Sequence, residues 1–278
     1  MSSPQQEPQQ SQPLLDPDFL ARLQQHSRLK PRSHTTHQTI HLPELNSRLS
    51  LNLDIPSPSP SNPPPPEDPF TPRPDLTTKT PITAIYLGNS MLERLKTTGS
   101  ATKTASQVPG SWNAGCGGDR NENVIYRCAG VSELGLFDVL RRHGGSESVK
   151  LWVLVSGTNN LHPKRGLREA DVESWRVLVE GCLRVAPGSR LLACDMFYRL
   201  DVSDELVDRG NDMLKGIVGD INREFGEERV VWIESRGAVG KDMLVDHVHL
   251  DERGYQAWDN RLFPFIRDTL GLSTAENK

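Results

Sequence analysis

The 278-residue chain lacks most of what would place it in several large classes. Its four cysteines, Cys116, Cys128, Cys182 and Cys194, are too scattered to make a C-x-x-C pair, which argues against a zinc knuckle or a dithiol redox centre. They read as buried thiols in a reducing compartment. No apolar run is long enough to cross a bilayer, and Met1 to Gln12 has no apolar core of the kind a secretory signal needs. A cytoplasmic protein without a membrane span is expected. Lys and Arg number 32 against 36 Asp and Glu, so the net charge of −4 leaves no basic footprint for nucleic acid.

Proline is nearly absent from the second part of the chain: 16 of the 21 lie in the first 80 residues, where Gln and Ser are also frequent. Residues 1–80 are therefore expected to form a largely disordered tail, with Ser57-Pro58-Ser59-Pro60 and Pro63 to Pro66 in extended polyproline conformations. One exception is allowed by the pattern, since Leu14, Leu15, Phe19, Leu20 and Leu23 suit a short amphipathic helix that docks on something. Residues 81–273 hold all five tryptophans and form the expected single folded domain, with 274–278 as a short C-terminal tail.

Within the domain, apolar runs alternate with helical patterns. Ile82 to Leu87, Lys150 to Val155, Arg190 to Met196 and Val230 to Ile233 read as buried strands. Helices are expected after Ser90, over Asn121 to Arg142 with a break near Gly130, around Val172 to Leu183, over Leu206 to Phe225, and around Tyr255 to Ile266, where Pro264 should kink or shorten the helix. Strands buried on both faces and separated by helices predict a three-layer α/β/α domain with a parallel sheet. In such sheets ligands bind beyond the carboxyl ends of the strands.

Four polar clusters fall at those ends or in the loops beside them. Ser90, in Gly88-Asn89-Ser90, sits where a strand turns into a helix and exposes a hydroxyl beside a helix-start N–H; an ordinary helix cap is the alternative. Asn113 to Asp119 is a glycine-rich stretch that offers the bare N–H of Gly118, or simply makes a turn. In Gly157-Thr158-Asn159-Asn160, Asn159 supplies a neutral amide donor or caps a turn. Asp246-His247-Val248-His249 separates an aspartate from a histidine by two residues, a gap that lets the carboxylate fold back on the His249 ring and set its tautomer. A metal reading of this string is disfavoured because the domain offers only His143 and His162 as further imidazoles.

Together the four clusters resemble the four sequence blocks of the SGNH (GDSL-type) hydrolase superfamily, whose domain is a flavodoxin-like α/β/α sheet. The stretch Asn113 to Asp119, with Val124-Ile125-Tyr126-Arg127 and Gly157 to Asn160, is similar to intracellular platelet-activating-factor acetylhydrolase catalytic subunits. The resemblance spans about Thr80 to Leu272 and implies Ser90 as nucleophile, Asp246 and His249 as its partners, and Ser90, Gly118 and Asn159 as oxyanion donors. It departs at Asn89, where the pattern has aspartate, and at Asp195 to Arg199, which differs from the acetylhydrolase wording. The expected activity is hydrolysis of a small-molecule carboxylic ester with a short, acetyl-type acyl group and no cofactor. Arg199 is expected at the rim, contacting an anionic part of the alcohol moiety. The alternatives are a catalytically silent binding module on the same fold, or an anion-binding domain built on Gly115 to Gly118. Neither the alcohol nor the oligomeric state is indicated.

Overall fold

A computed structural model of the protein describes residues 15–51, 81–130, 134–142 and 144–273. Five parallel strands, β1 (Ala84–Gly88), β2 (Ser111–Gly115), β3 (Leu151–Val155), β4 (Arg190–Cys194) and β5 (Val230–Ile233), form one sheet in the order β2-β1-β3-β4-β5. Side chains of the three central strands alternate between two buried faces. Ile85, Leu87, Trp152, Leu154, Leu191 and Ala193 enter one core, while Ala84, Tyr86, Leu151, Val153, Leu192 and Cys194 enter the other. A strand buried on both faces needs apolar residues at every position, which is why these segments read as continuous runs.

Helices cover both faces. The first core packs under α6 (Asn121–Ala129), α7 (Leu136–Arg142), α9 (Glu169–Val185) and α10 (Asp204–Phe225). The second packs under α4 (Ser90–Glu93) and α11 (Glu252–Leu270). Two further single turns, α5 (Lys103–Ser106) and α8 (Gly145–Ser148), lie in connections. The expected α/β/α sandwich is thus the architecture observed. The expected break between α6 and α7 is present as well, Gly130 closing α6 with a left-handed C-cap.

Three expectations need correction. First, the segment expected as a glycine-rich loop begins with a strand, since Ser111 to Gly115 pairs with β1 in register Ala84–Ser111 to Gly88–Gly115. This β2 is an edge strand bonded on one side only, so its polar and glycine positions are tolerated. Second, α11 runs through Pro264 to Leu270. Leu262 and Ile266, both fully buried, anchor it on either side of the missing backbone donor.

Third, the first 80 residues are not a uniform tail. Residues 1–14 and 52–80, like 274–278, lie outside the described residues, but residues 15–51 fold into α1 (Pro17–His26), α2 (Pro31–Thr36), a π turn (His37–His41) and α3 (Leu42–Arg48). Pro17 and Pro31 occupy first turns of helices, where a missing N–H costs nothing, and Pro43 is the second residue of α3, directly after the π turn in a continuous helical run. Composition averaged over the whole segment hides this placement. The amphipathic helix allowed by the pattern is α1. Asp16 caps it, Phe19 and Leu23 enter the first core, and Arg22 pairs with Glu173 at 2.6 Å and Glu180 at 2.7 Å on α9. Four more histidines, His26, His34, His37 and His41, therefore belong to the folded part, the last two buried.

If α1 is part of the core, Leu23→Ala should lower unfolding free energy by about 2–5 kcal/mol in a denaturant titration, as for other buried leucines. A loss below about 0.5 kcal/mol, the surface range, would show that α1 adds nothing to the core.

Candidate active site

In this strand order the chain reverses direction of winding between β1 and β3, which opens a crevice beyond their carboxyl ends. Gly88 ends β1 at φ +155°, and a Cβ there would run into the Val155 carbonyl of β3, so glycine is what permits this close approach. Asn89 follows, its N–H bonded to Val155 O at 3.1 Å and its Oδ1 accepting the Met91 N–H at 3.0 Å as the cap of α4. The cap requires a neutral acceptor only, so the departure from aspartate leaves the turn intact. Asn89 Nδ2 is buried without a partner among the described residues. Ser90 is then the first helical residue, with an N–H that has no acceptor inside the helix.

The loop after β5 supplies the histidine. A bridge between Leu244 and Leu250 and the bond from Val245 N–H to His249 O at 2.8 Å close its base. Asp246 Oδ1 accepts the N–H groups of Val248 and His249, both at 2.8 Å, and Oδ2 faces His249 Nδ1 at 2.7 Å. His249 Nε2 stands 2.9 Å from Ser90 Oγ. Burial acts to raise the Asp246 pKa, but the His249 ring and the two backbone donors outweigh it and hold the carboxyl well below the usual carboxylate range. Asp246 therefore keeps its charge throughout the neutral pH range. His247 is exposed and contributes its carbonyl to Leu200 N–H at 2.8 Å.

β2, paired with β1, leads into the loop before α6. Gly118 is in the left-handed region at φ +73° and is exposed, and Asp119 behind it is fully buried. Asn159 follows β3 in a 3-10 turn (Thr158–Asn160) and donates one Nδ2 hydrogen to Asp119 O at 2.8 Å. A carboxamide has two such hydrogens, so the second stays available. Asn160, adjacent in sequence, serves the scaffold instead. It accepts the Asn121 N–H at 3.0 Å and bonds Glu122 and Asp171 in a buried network. Ser90, His249 and Asp246 are thus joined in one hydrogen-bonded chain, and Gly118 and Asn159 meet at Asp119.

Arg199 is held by bonds within the protein. Its side chain is 12% exposed and binds Asp201 through Nε at 2.9 Å and Nη2 at 2.6 Å, while Nη1 donates to Thr158 O at 2.8 Å. All three nitrogens have partners within the protein, and two of the five guanidinium N–H groups are left over. The contact with Thr158 braces the turn that carries Asn159.

Sequence reasoning gave no role to Asp119 and Arg127, which form a fully buried pair at 2.9 Å. Arg127 also donates to Ala114 O at 2.8 Å and Gly88 O at 3.1 Å. Burial works against its charge, but Asp119 overcomes this and its pKa is raised. An arginine amid Val124, Ile125 and Cys128 was the available signal, because a buried cation needs a carboxylate.

No family model matches the chain, and no curated protein matches it in sequence. Solved structures do match. The chain is similar to a family 3 carbohydrate esterase from Clostridium thermocellum, at 16% identity and TM-score 0.50, over 69% of this chain and 98% of that one. It is also similar to an active-site mutant of a family two carbohydrate esterase from the same organism, at 13% identity and TM-score 0.50, over 70% of this chain and 65% of that one. At these identities the likeness is one of fold, and that fold is the one the SGNH resemblance implied.

Asp195, at the end of β4, gives a pH test of the rim. Burial raises its carboxyl, the N–H groups of Arg236 at 2.9 Å and Ser235 at 3.0 Å pull it down, and the result is a pKa of about 6. A carboxyl whose pKa rises on folding adds stability below its unfolded value, near about 4, and loses that contribution as pH climbs through the folded value. Asp195→Asn should therefore gain stability relative to the unsubstituted protein as pH goes from about 4 to about 7. A difference between the two that is constant with pH would contradict this environment for Asp195.

Proposed function

We propose that the protein is a serine carboxylic-ester hydrolase of SGNH type, acting on small-molecule esters with short, acetyl-type acyl groups. The observation that carries this reading is the chain Asp246–His249–Ser90, with heavy-atom separations of 2.7 Å and 2.9 Å. The acetyl preference comes from the sequence resemblance.

The distances support a definite order of proton movements. With Nδ1–H donating to Asp246, His249 Nε2 is the unprotonated nitrogen and accepts the Ser90 proton as Oγ attacks the ester carbonyl. The charge that forms on the carbonyl oxygen is met by N–H groups of Ser90, Gly118 and Asn159. Collapse expels the alcohol, which takes the proton from His249 and leaves an acylated Ser90. Water then gives a proton to His249 as it attacks the acyl carbon, and His249 returns that proton to Ser90 Oγ as the bond to the acyl carbon breaks and the acid departs. A neutral asparagine suits the third donor because it stabilises the developing charge without titrating.

A fluorophosphonate probe should label the unsubstituted protein and leave Ser90→Ala unlabelled. On p-nitrophenyl esters of increasing chain length, turnover should be fastest at acetate, and Ser90→Ala and His249→Ala should each lose at least about 10⁴-fold in kcat. Asn159→Ala should lose on the order of 10²–10³-fold. Ester turnover that survives Ser90→Ala would rule the reading out.

A further inference from the structure

The helical arm that precedes the sheet domain takes no part in the proton relay, yet it grips the loop that carries Gly118. Ser33 of α2 is fully buried, and its Oγ donates to Asp119 Oδ1 at 2.5 Å. Lys30, just before α2, places Nζ 2.7 Å from Gly118 O and 3.4 Å from Gly117 O. Arg32 Nη2 stands 3.1 Å from each carboxylate oxygen of Glu93, which lies in the same short helix as Ser90. A second line of bonds holds the arm to α6, through Arg28 N–H to Glu122 O at 3.0 Å and Asn123 Nδ2 to Arg28 O at 2.9 Å.

Apart from the Arg127–Asp119 pair, the loop has few bonds of its own. Between β2 and α6 its own backbone bonds are Cys116 N–H to Gly88 O at 3.0 Å and Asp119 N–H to Cys116 O at 3.3 Å. Gly117 and Gly118 have no side chains to pack, and glycine is the residue with most backbone freedom. Asp119 is where the restraints meet. Its carboxylate is held by Arg127 on one oxygen and Ser33 on the other, and its carbonyl accepts Asn159 Nδ2.

We infer that Ser33 is a positioning residue for the oxyanion donors, acting through Asp119, with Lys30 as a second clamp on Gly118. The inference rests on the ester-hydrolase reading of the site. Removing the Ser33 hydroxyl leaves one oxygen of a buried carboxylate short of a donor, and the loop must shift to find another. Oxyanion donors act over a narrow range of distance, so that shift falls on the transition state more than on substrate binding.

In the full chain, Ser33→Ala should lower kcat for p-nitrophenyl acetate by about 10–100-fold with KM little changed, the size of effect a misplacement near about 1 Å brings. If it acts on the same donors as Asn159, Ser33→Ala should cost far less in an Asn159→Ala background than alone. Amide exchange at Gly117 to Asp119 should quicken in Ser33→Ala, and to a smaller degree in the surface variant Lys30→Met, while β3 and α9 stay protected. Unchanged exchange at the loop in both variants overturns the assignment, and so does full additivity of Ser33→Ala with Asn159→Ala. Should the unsubstituted protein hydrolyse no ester, the activity reading alone fails, because loop exchange still decides whether the arm is the clamp.

Discussion

A guanidinium removed from water has to find acceptors for its N–H groups inside the protein, and Arg127 finds them at three separate places in the chain. It reaches Gly88 O where β1 stops, Ala114 O near the end of β2, and Asp119 in the loop beyond. These are the segments that present Ser90 and Gly118. An unpaired charge at this depth costs several kcal/mol, so the loop cannot drift from Arg127 without a large loss of stability. His41 completes the shell, with Nδ1 3.3 Å from Arg127 Nη1. Burial, aided by the Arg127 charge, lowers the His41 pKa well below its ordinary value, so its ring is neutral and offers that nitrogen as an acceptor.

The site depends equally on where the sheet reverses. With β1 between β2 and β3, residues that follow these three strands emerge side by side although they are far apart in sequence. Ser90 follows β1, Gly118 follows β2 and Asn159 follows β3, and the long connection after β5 brings His249 across to Ser90. Topology provides the approximate convergence. Hydrogen bonds then refine it: Asp246 orients His249, Asp119 aims Asn159, and Arg199 braces the turn below Asn159.

Features governed by short-range spacing are readable from the chain alone. The gap between Asp246 and His249 makes their pairing a local matter, and the central strands announce themselves by apolar residues at every position. What the sequence conceals is governed by distant partners or by position within an element. Ser33 lies 86 residues from Asp119 and carries no local mark of its role. Pro17 and Pro31 count toward a disordered composition unless their first-turn placement is recognised, and Pro43 does so unless the π turn before it is foreseen. Ser111 to Gly115 is too polar to look like a strand, because an edge is bonded on one side only. Arg199 carries no local mark of its bond to Thr158 O, 41 residues away.

The central claim is that one point beside Ser90 Oγ is served by N–H groups from three strand ends at once. A crystal structure of the fluorophosphonate adduct on Ser90 tests this most directly, since the phosphoryl oxygen stands in for the oxyanion. The oxygen is predicted within about 2.7–3.1 Å of Ser90 N, Gly118 N and Asn159 Nδ2. An adduct whose phosphoryl oxygen faces solvent, with Gly118 and Asn159 both out of hydrogen-bonding range, would contradict it.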